Sequence, residues 1–212
     1  LEGFDPGARV AELTPMFRRL GAALVPLVKA AKEAPAPEAL ALTVPEPAFE
    51  RLNRRVLEAM GYDFNRGRLD LAAHPYTVGI HPDDVRITTR LLTDAPLGTL
   101  GATIHEGGHA LYEQGLPGAW FGTGLCRAAG AGLHESQSRF WENQIGRSRA
   151  FFRWLRPAME EACGHAVDPE ALYQSANRIE PTFIRVEADE ATYNLHVIIR
   201  YELELALFEE RL

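Results

Sequence analysis

Cysteine is almost missing from this 212-residue chain: Cys126 and Cys163 are the only two, and no C-x-x-C spacing joins them. Their scarcity fits a reduced, cytoplasmic protein better than a disulfide scaffold. No apolar run approaches the roughly 18 residues that a membrane span needs. The N-terminus lacks the charged-then-apolar pattern of a secretory signal. That absence says little of export, because Leu1-Glu2-Gly3-Phe4 reads as a chain begun in mid-theme. No lysine or arginine stripe stands out against a formal net charge of −7, which argues against a nucleic-acid partner. The densest basic groups, Arg51, Arg54 and Arg55 with Arg66 and Arg68, read as a solvated helix face and the loop after it. Internal repeats and low-complexity tracts are absent too. What remains is a 46% apolar share, enough for one globular domain with a substantial core.

Helical periodicity dominates. Val10, Leu13, Phe17, Leu20, Leu24, Leu27 and Val28 predict a helix over about 8–33, which Pro15 and Pro26 should kink or split. Ala34 to Pro47 is a proline-rich connector, followed by a helix from Pro47 to Met60 that Gly61 ends. Residues 69–93 change character. Thr77, Val78 and Ile80, then Val85, Ile87, Thr88 and Thr89, flank His81-Pro82-Asp83-Asp84 as a hairpin would. Beyond lie a helix over 102–114, a glycine-rich loop from Gly115 to Gly132, and a helix with the apolar stripe Leu133, Phe140, Trp141 and Ile145. Helices follow over about 148–163, Pro169 to Asn177 and 187–211. The fold class is mainly α, with a small antiparallel β element near residues 74–92.

The chemistry centres on His105-Glu106-Gly107-Gly108-His109. Two histidines four apart on a helix lie one above the other, so both rings reach one metal ion. The glutamate between them is turned about 100° round the axis. There it serves as a general base toward activated water rather than as a ligand. By chance, about one chain in two hundred of this length would carry the pattern. Its setting, between Gly101 and Gly115 on an amphipathic stretch, lowers that further. Gly107 and Gly108 each cost roughly 1 kcal/mol against alanine in a helix interior. Either something approaches that face closely, or they are simply tolerated.

A hydrolytic zinc site wants three protein ligands and an open position. The third should come from a neighbouring element, and the helix opened by His134-Glu135 supplies it. Spacing favours Glu135 and leaves His134 as the alternative. Ser138, Arg139 and Glu142 lie within reach as orienting groups.

H-E-G-G-H-A-L-Y-E-Q-G at 105–115 followed by H-E-S-Q-S-R-F-W-E-N at 134–143 resembles the carboxypeptidase Taq family of zinc metallocarboxypeptidases. Supporting segments stand in the family's order: His74-Pro75-Tyr76 for H-P-F, Asp84-Val85-Arg86-Ile87-Thr88 for D-x-R-x-T, and Ile184 to Asp189 for I-R-x-x-A-D. The resemblance implies a zincin-like helical metallopeptidase architecture, zinc (with cobalt as a possible substitute) held by His105, His109 and Glu135, and Glu106 as the base. It also implies peptide substrates shortened from their C-termini and a homodimer. Members are more than twice as long, and their G-x-x-Q segment has no counterpart here. The expectation is therefore that residues 1–212 form a single domain, the metal-binding central part of a longer enzyme.

A carboxypeptidase must hold a terminal carboxylate, which the planar fork of arginine suits. Arg86 and Arg185 are the candidates. Structural ion pairing is the alternative for each, with Glu187 and Asp189 beside Arg185. Tyr193 and His196 are candidate substrate contacts whose phase also suits core packing. His74 is an orienting group or a core histidine; His81 and His165 read as surface. Cys126, near the metal by chain position, reads as a partly buried, inert thiol. Two competing readings are kept. One is an endopeptidase or aminopeptidase on the same zinc core, the latter disfavoured by the lack of a G-x-M-E-N-like segment. The other is a catalytically silent, metal-stabilised module serving assembly.

Overall fold

The computed structural model describes residues 1–37, 40–185 and 188–211. Its α-helices are α1 (Val10–Glu33), α2 (Glu46–Met60), α3 (Pro96–Gln114), α4 (Ala131–Arg139), α5 (Arg149–Cys163), α6 (Pro169–Ala176) and α7 (Glu190–Phe208). A π-helical turn, Phe140–Ile145, continues α4. Strands β1 (Gly67–Leu71), β2 (Tyr76–His81) and β3 (Asp84–Thr89) lie between α2 and α3. Among the described residues, no helix is long and apolar enough to cross a membrane. The chain divides into two compact units. One comprises Leu1–Glu2, Gly7–Glu38 and Asn177–Leu212, the other Gly3–Pro6 and Ala39–Ala176.

In the first unit, α1 and α7 pack together. The Phe17 and Tyr201 rings sit 4.7 Å apart, and the Thr14 and Tyr201 hydroxyls share a 2.6 Å hydrogen bond. Helix α1 runs unbroken through Pro15 and Pro26, so the expected split does not occur. Each proline deletes one main-chain bond and leaves those around it to carry the helix. Asp189 starts α7 as its N-cap, accepting from the amides of Ala191 and Thr192 at 2.9 and 3.0 Å. Helix α7 stops at Phe208, before the run to 211 that periodicity suggests. The expected start at Glu187 and the Val186-Glu187 centre of the I-R-x-x-A-D segment lie outside the described residues.

The second unit has its main core between helices. Phe49, Leu52 and Val56 of α2 meet Leu100 and Ile104 of α3, Phe152, Leu155 and Met159 of α5, and Leu172 of α6. Fully burying each such side chain is worth about 1.5–3 kcal/mol. Spacing of three and four places one apolar stripe on each helix, and these stripes are what the core joins. Helix α2 ends at Gly61, whose φ of 103° places it in the left-handed region that glycine adopts without penalty.

The sheet has strand order β1-β3-β2. The expected β2–β3 hairpin is present and antiparallel, with a register irregularity between Gly79 and His81. A third strand, β1, pairs parallel to β3 along its other side. Its Gly67-Arg68-Leu69-Asp70-Leu71 sequence carries a weak strand signal, and pairing with β3 decides its conformation. Val85, Ile87 and Thr89 of β3 are buried toward α3, where Val85 and Ile87 join Leu57, Tyr62 and Ala110 in a second apolar cluster. Thr89 and Thr103 seal this contact with a 2.8 Å hydroxyl bond. Gln114, buried at the end of α3, is clamped to the 63–66 turn: its side-chain oxygen accepts from Asp63 N at 3.0 Å, and its amide donates to Asp63 O at 2.9 Å.

The Tyr62 hydroxyl donates to Val85 O at 2.5 Å across this cluster. Burial pushes the phenol up to about 12 from an ordinary 10.0. The folded state thus favours the neutral phenol. Its contribution is complete below pH ~10 and is lost as pH rises toward ~12, by about 2–3 kcal/mol. Urea unfolding at pH 9 and pH 11.5 should show that extra alkaline loss in the wild-type protein and not in Tyr62→Phe.

Candidate metal centre

Helix α3 carries His105, Glu106 and His109, and the N-terminal half of α4 carries His134 and Glu135. The two helices cross with almost no side-chain spacer. A Cβ at Gly108 would lie 2.6 Å from Ser138 Cα and 2.7 Å from Gln137 O, which are main-chain atoms that cannot yield. On the neighbouring face, a Cβ at Gly107 would meet Leu57 and Met60 of α2 at 2.6 and 2.8 Å. The atoms facing Gly107 are tips of flexible side chains, so close main-chain approach is the reason for Gly108 alone. It overcomes the helix penalty because it brings α4 within a side chain's reach of the two histidines.

Ligating atoms of His105, His109 and Glu135 all lie within 4.8 Å of one another, a group that can hold a metal ion. Glu135 Oε2 is 3.6 Å from His105 Nε2 and 3.2 Å from His109 Nε2. Two ligands about 2.1 Å from a tetrahedral zinc ion stand roughly 3.4 Å apart, so both separations suit an edge of that polyhedron. Two imidazoles and a carboxylate are also a donor set that zinc accepts in catalytic sites. The residues present therefore fit a divalent cation. His134, the alternative third ligand, turns away: its Nδ1 meets His109 Nδ1 at 2.6 Å, and its Nε2 meets Glu113 Oε1 at 2.8 Å.

The outer partners explain the electrostatics. His105 Nδ1 lies 2.9 Å from Glu142 Oε2, and Arg139 and Arg147 stand 3.0 and 3.5 Å from the same carboxylate. Burial alone would lower the His105 pKa, but the Glu142 hydrogen bond and the charges of Glu142, Glu135 and Glu106 outweigh it and hold it above the usual imidazole value. Burial likewise works to raise Glu142 and Glu135, yet their cationic and hydrogen-bonding neighbours hold both below the usual carboxylate range. Glu142 stands on the π-helical turn that continues α4. Glu106 is oriented from the sheet: Thr77 Oγ1 lies 2.7 Å from its Oε2 and 2.9 Å from its main-chain carbonyl.

Other sequence candidates are placed differently. Arg86 alternates with the buried Val85 and Ile87, so it faces away from α3, and it makes a two-pronged pair with Asp84 at 2.8 Å. The structure does not bring it to the cluster. His74 is exposed rather than in the core, and its carbonyl accepts from Thr88 Oγ1 at 3.1 Å. His81 is half-buried, its ring 4.4 Å from that of Phe121. Cys126 is buried, as an inert thiol would be. Arg185 and Tyr193 belong to the first unit, where the guanidinium donates to the phenol oxygen at 2.5 Å. His196 Nε2 there lies 3.0 Å from Thr182 O. The stripe expected on the ligand helix is largely solvent-facing: Leu133, Phe140 and Ile145 are 47%, 42% and 37% exposed.

Three residues escaped the sequence reading: Thr77, Arg147 and Glu113. Glu113 had a usable signal, since it stands four residues after His109 on the same helix face. Thr77 had none, because its contact depends on how the sheet packs against α3.

The family model of carboxypeptidase Taq (M32) metallopeptidases matches residues 1–212. The chain belongs to that family. Thermostable carboxypeptidase 1 of Thermus thermophilus is 45% identical over 217 residues, covering 100% of this chain and 42% of the relative. Carboxypeptidase 1 of Bacillus subtilis is 40% identical over 214 residues, covering 98% and 43%. The crystal structure of the M32 carboxypeptidase from Deinococcus radiodurans superposes with a TM-score of 0.91 at 42% identity, covering 100% of this chain and 44% of that one. This M32 chain thus spans under half the length of the relatives it matches.

The Gly108 contact makes a paired prediction. Gly108→Ala must push α4 off α3 and should cost about 1–3 kcal/mol or more in chemical denaturation, with weaker metal uptake. Gly101→Ala, on the same helix with nothing within 4 Å of its added methyl, should instead stabilise by about 0.5–1 kcal/mol.

Proposed function

We propose that this chain carries the metal-binding and proton-transfer half of a zinc-dependent metallocarboxypeptidase that removes residues from the C-termini of peptides. The observation that carries the reading is the convergence of His105, His109 and Glu135 on one point, with Glu106 on the same helix as the histidines. Those three would hold the cation through Nε2, Nε2 and a carboxylate oxygen. When bound, a zinc ion supplies Lewis acidity, making nearby water more acidic and a carbonyl more electrophilic.

The protein's own groups then handle the protons. The Thr77 hydroxyl occupies Glu106 Oε2 and leaves Oε1 to take a proton from the attacking water. Glu106 returns that proton to the amine nitrogen as the peptide bond breaks. His105 is kept pointing by Glu142, itself held by Arg139 and Arg147. Arg185 and Tyr193, hydrogen-bonded to each other within the first unit, stay candidates for substrate contact by their motif alone. Arg86, engaged by Asp84 on the outer face of the sheet, has no part in the scheme.

Glu106→Gln should keep zinc stoichiometry and lose about 100- to 10,000-fold in turnover, the usual worth of a positioned base. Substantial residual turnover would remove Glu106 from that role. Glu135→Ala should lose zinc on dialysis, as read by atomic absorption. Peptides with an amidated C-terminus should resist cleavage while N-acetylated ones are cleaved; the reverse pattern overturns the carboxypeptidase assignment.

A further inference from the structure

We propose that Glu113 and His134 are positioning residues that lock His109 in the tautomer a metal ion requires. The inference rests on the metallopeptidase reading above and adds to it a relay running from Glu113 through His134 to His109.

The argument is one of counting protons. His109 Nδ1 and His134 Nδ1 are 2.6 Å apart, so one of them must carry a hydrogen and the other a lone pair. Two lone pairs or two N–H groups at that separation would repel. The other end of His134 decides which. Its Nε2 is 2.8 Å from Glu113 Oε1, and an ionised carboxylate only accepts, so Nε2 carries a hydrogen. A neutral imidazole protonated at Nε2 has its lone pair at Nδ1. In its neutral form His134 therefore accepts from His109 Nδ1–H, which leaves the lone pair of His109 on Nε2. That nitrogen is the one 3.2 Å from Glu135 Oε2, inside the cluster that can hold a cation.

Surrounding contacts fix the relay in place. The Tyr112 ring lies 4.9 Å from that of His134, and Ala129 N donates to the Tyr112 hydroxyl at 3.1 Å, so the ring against His134 is itself held. Glu113 lies in the space left by the missing side chain of Gly79, where a Cβ would meet its carboxylate. His109, His134 and Glu113 have side chains only 18–22% exposed, so water competes weakly for these bonds. His105 reaches the same tautomer by a shorter route, its Nδ1 directly on Glu142. The two ligand histidines are thus aligned by different devices, one carboxylate and one histidine–carboxylate pair.

Zinc dissociation constants, measured by chelator competition, test the relay. Glu113→Ala and His134→Phe should each weaken zinc binding about 10- to 100-fold at unchanged stoichiometry. His134→Asn, whose amide oxygen can accept from His109 Nδ1–H, should recover most of that loss, which a merely space-filling role would not predict. Equal affinity in wild type and His134→Phe overturns the proposal, and so does an Asn variant no better than Phe. A readout that needs no variant is long-range 1H–15N NMR of the zinc-loaded protein. It should show His134 neutral with its hydrogen on Nε2, and a hydrogen on His134 Nδ1 overturns the relay. If the wild-type protein holds no zinc at all, the metallopeptidase reading falls and the relay with it. If it holds zinc and the variants match it, the relay alone falls.

Discussion

The contact between the backbones of α3 and α4 is the constraint on which the site depends. A histidine pair on one helix gives two of the three directions a tetrahedral ion needs, and the third must come from elsewhere. The reach of a glutamate side chain sets how near that second helix must lie. Gly108 meets the requirement by removing the one Cβ that would separate its helix from Ser138 and Gln137. The helix penalty of glycine is small beside the packing and convergence it permits. Gly107 faces the side-chain tips of Leu57 and Met60 on α2, a contact that can adjust.

Around that crossing the polar groups are matched in pairs rather than left to solvent. Glu142 draws on two arginines and a histidine, and Glu135 on two histidines and Ser138. A half-buried carboxylate without such neighbours would rise in pKa and lose its value as a ligand or anchor. Glu142 itself stands on the departure from α-helical winding at Phe140–Ile145. The sheet contributes from the opposite side, turning Thr77 of β2 toward Glu106 and sending Arg86 of β3 outward, by strand alternation alone.

Much of this was legible in the residues. That His105 and His109 share a helix face, as donors that could hold one cation, follows from a helical period, which is a local property. The helix end at Gly61 follows from conformational preference at a single position, the left-handed φ that glycine adopts freely. Expectations were less sound where a long-range contact competes with a local rule. Pro15 and Pro26 did not divide α1, because each removes a single main-chain bond and the neighbouring bonds carry the helix through. β1 is a strand because β3 offers it a partner. Arg86 sits in a segment that resembles a motif, yet its register on β3 points it to the outer face. Leu133, Phe140 and Ile145 of the α4 segment share spacing with a core stripe and are nonetheless exposed, while Trp141 packs against the core.

The sequence by itself determined the mainly helical class and the pairing of His105 with His109 on one helix face, because each depends on residue types at fixed short spacings. Only the tertiary structure decided between Glu135 and His134 as the side chain facing His105 and His109. These two are adjacent on one helix and point about 100° apart, so the choice turns on the rotation of α4 about its own axis. That rotation is set by Gly108 against Ser138 and by the bonds of His134 to His109 and Glu113. None of these contacts has a signature along the chain, because each joins residues brought together by packing.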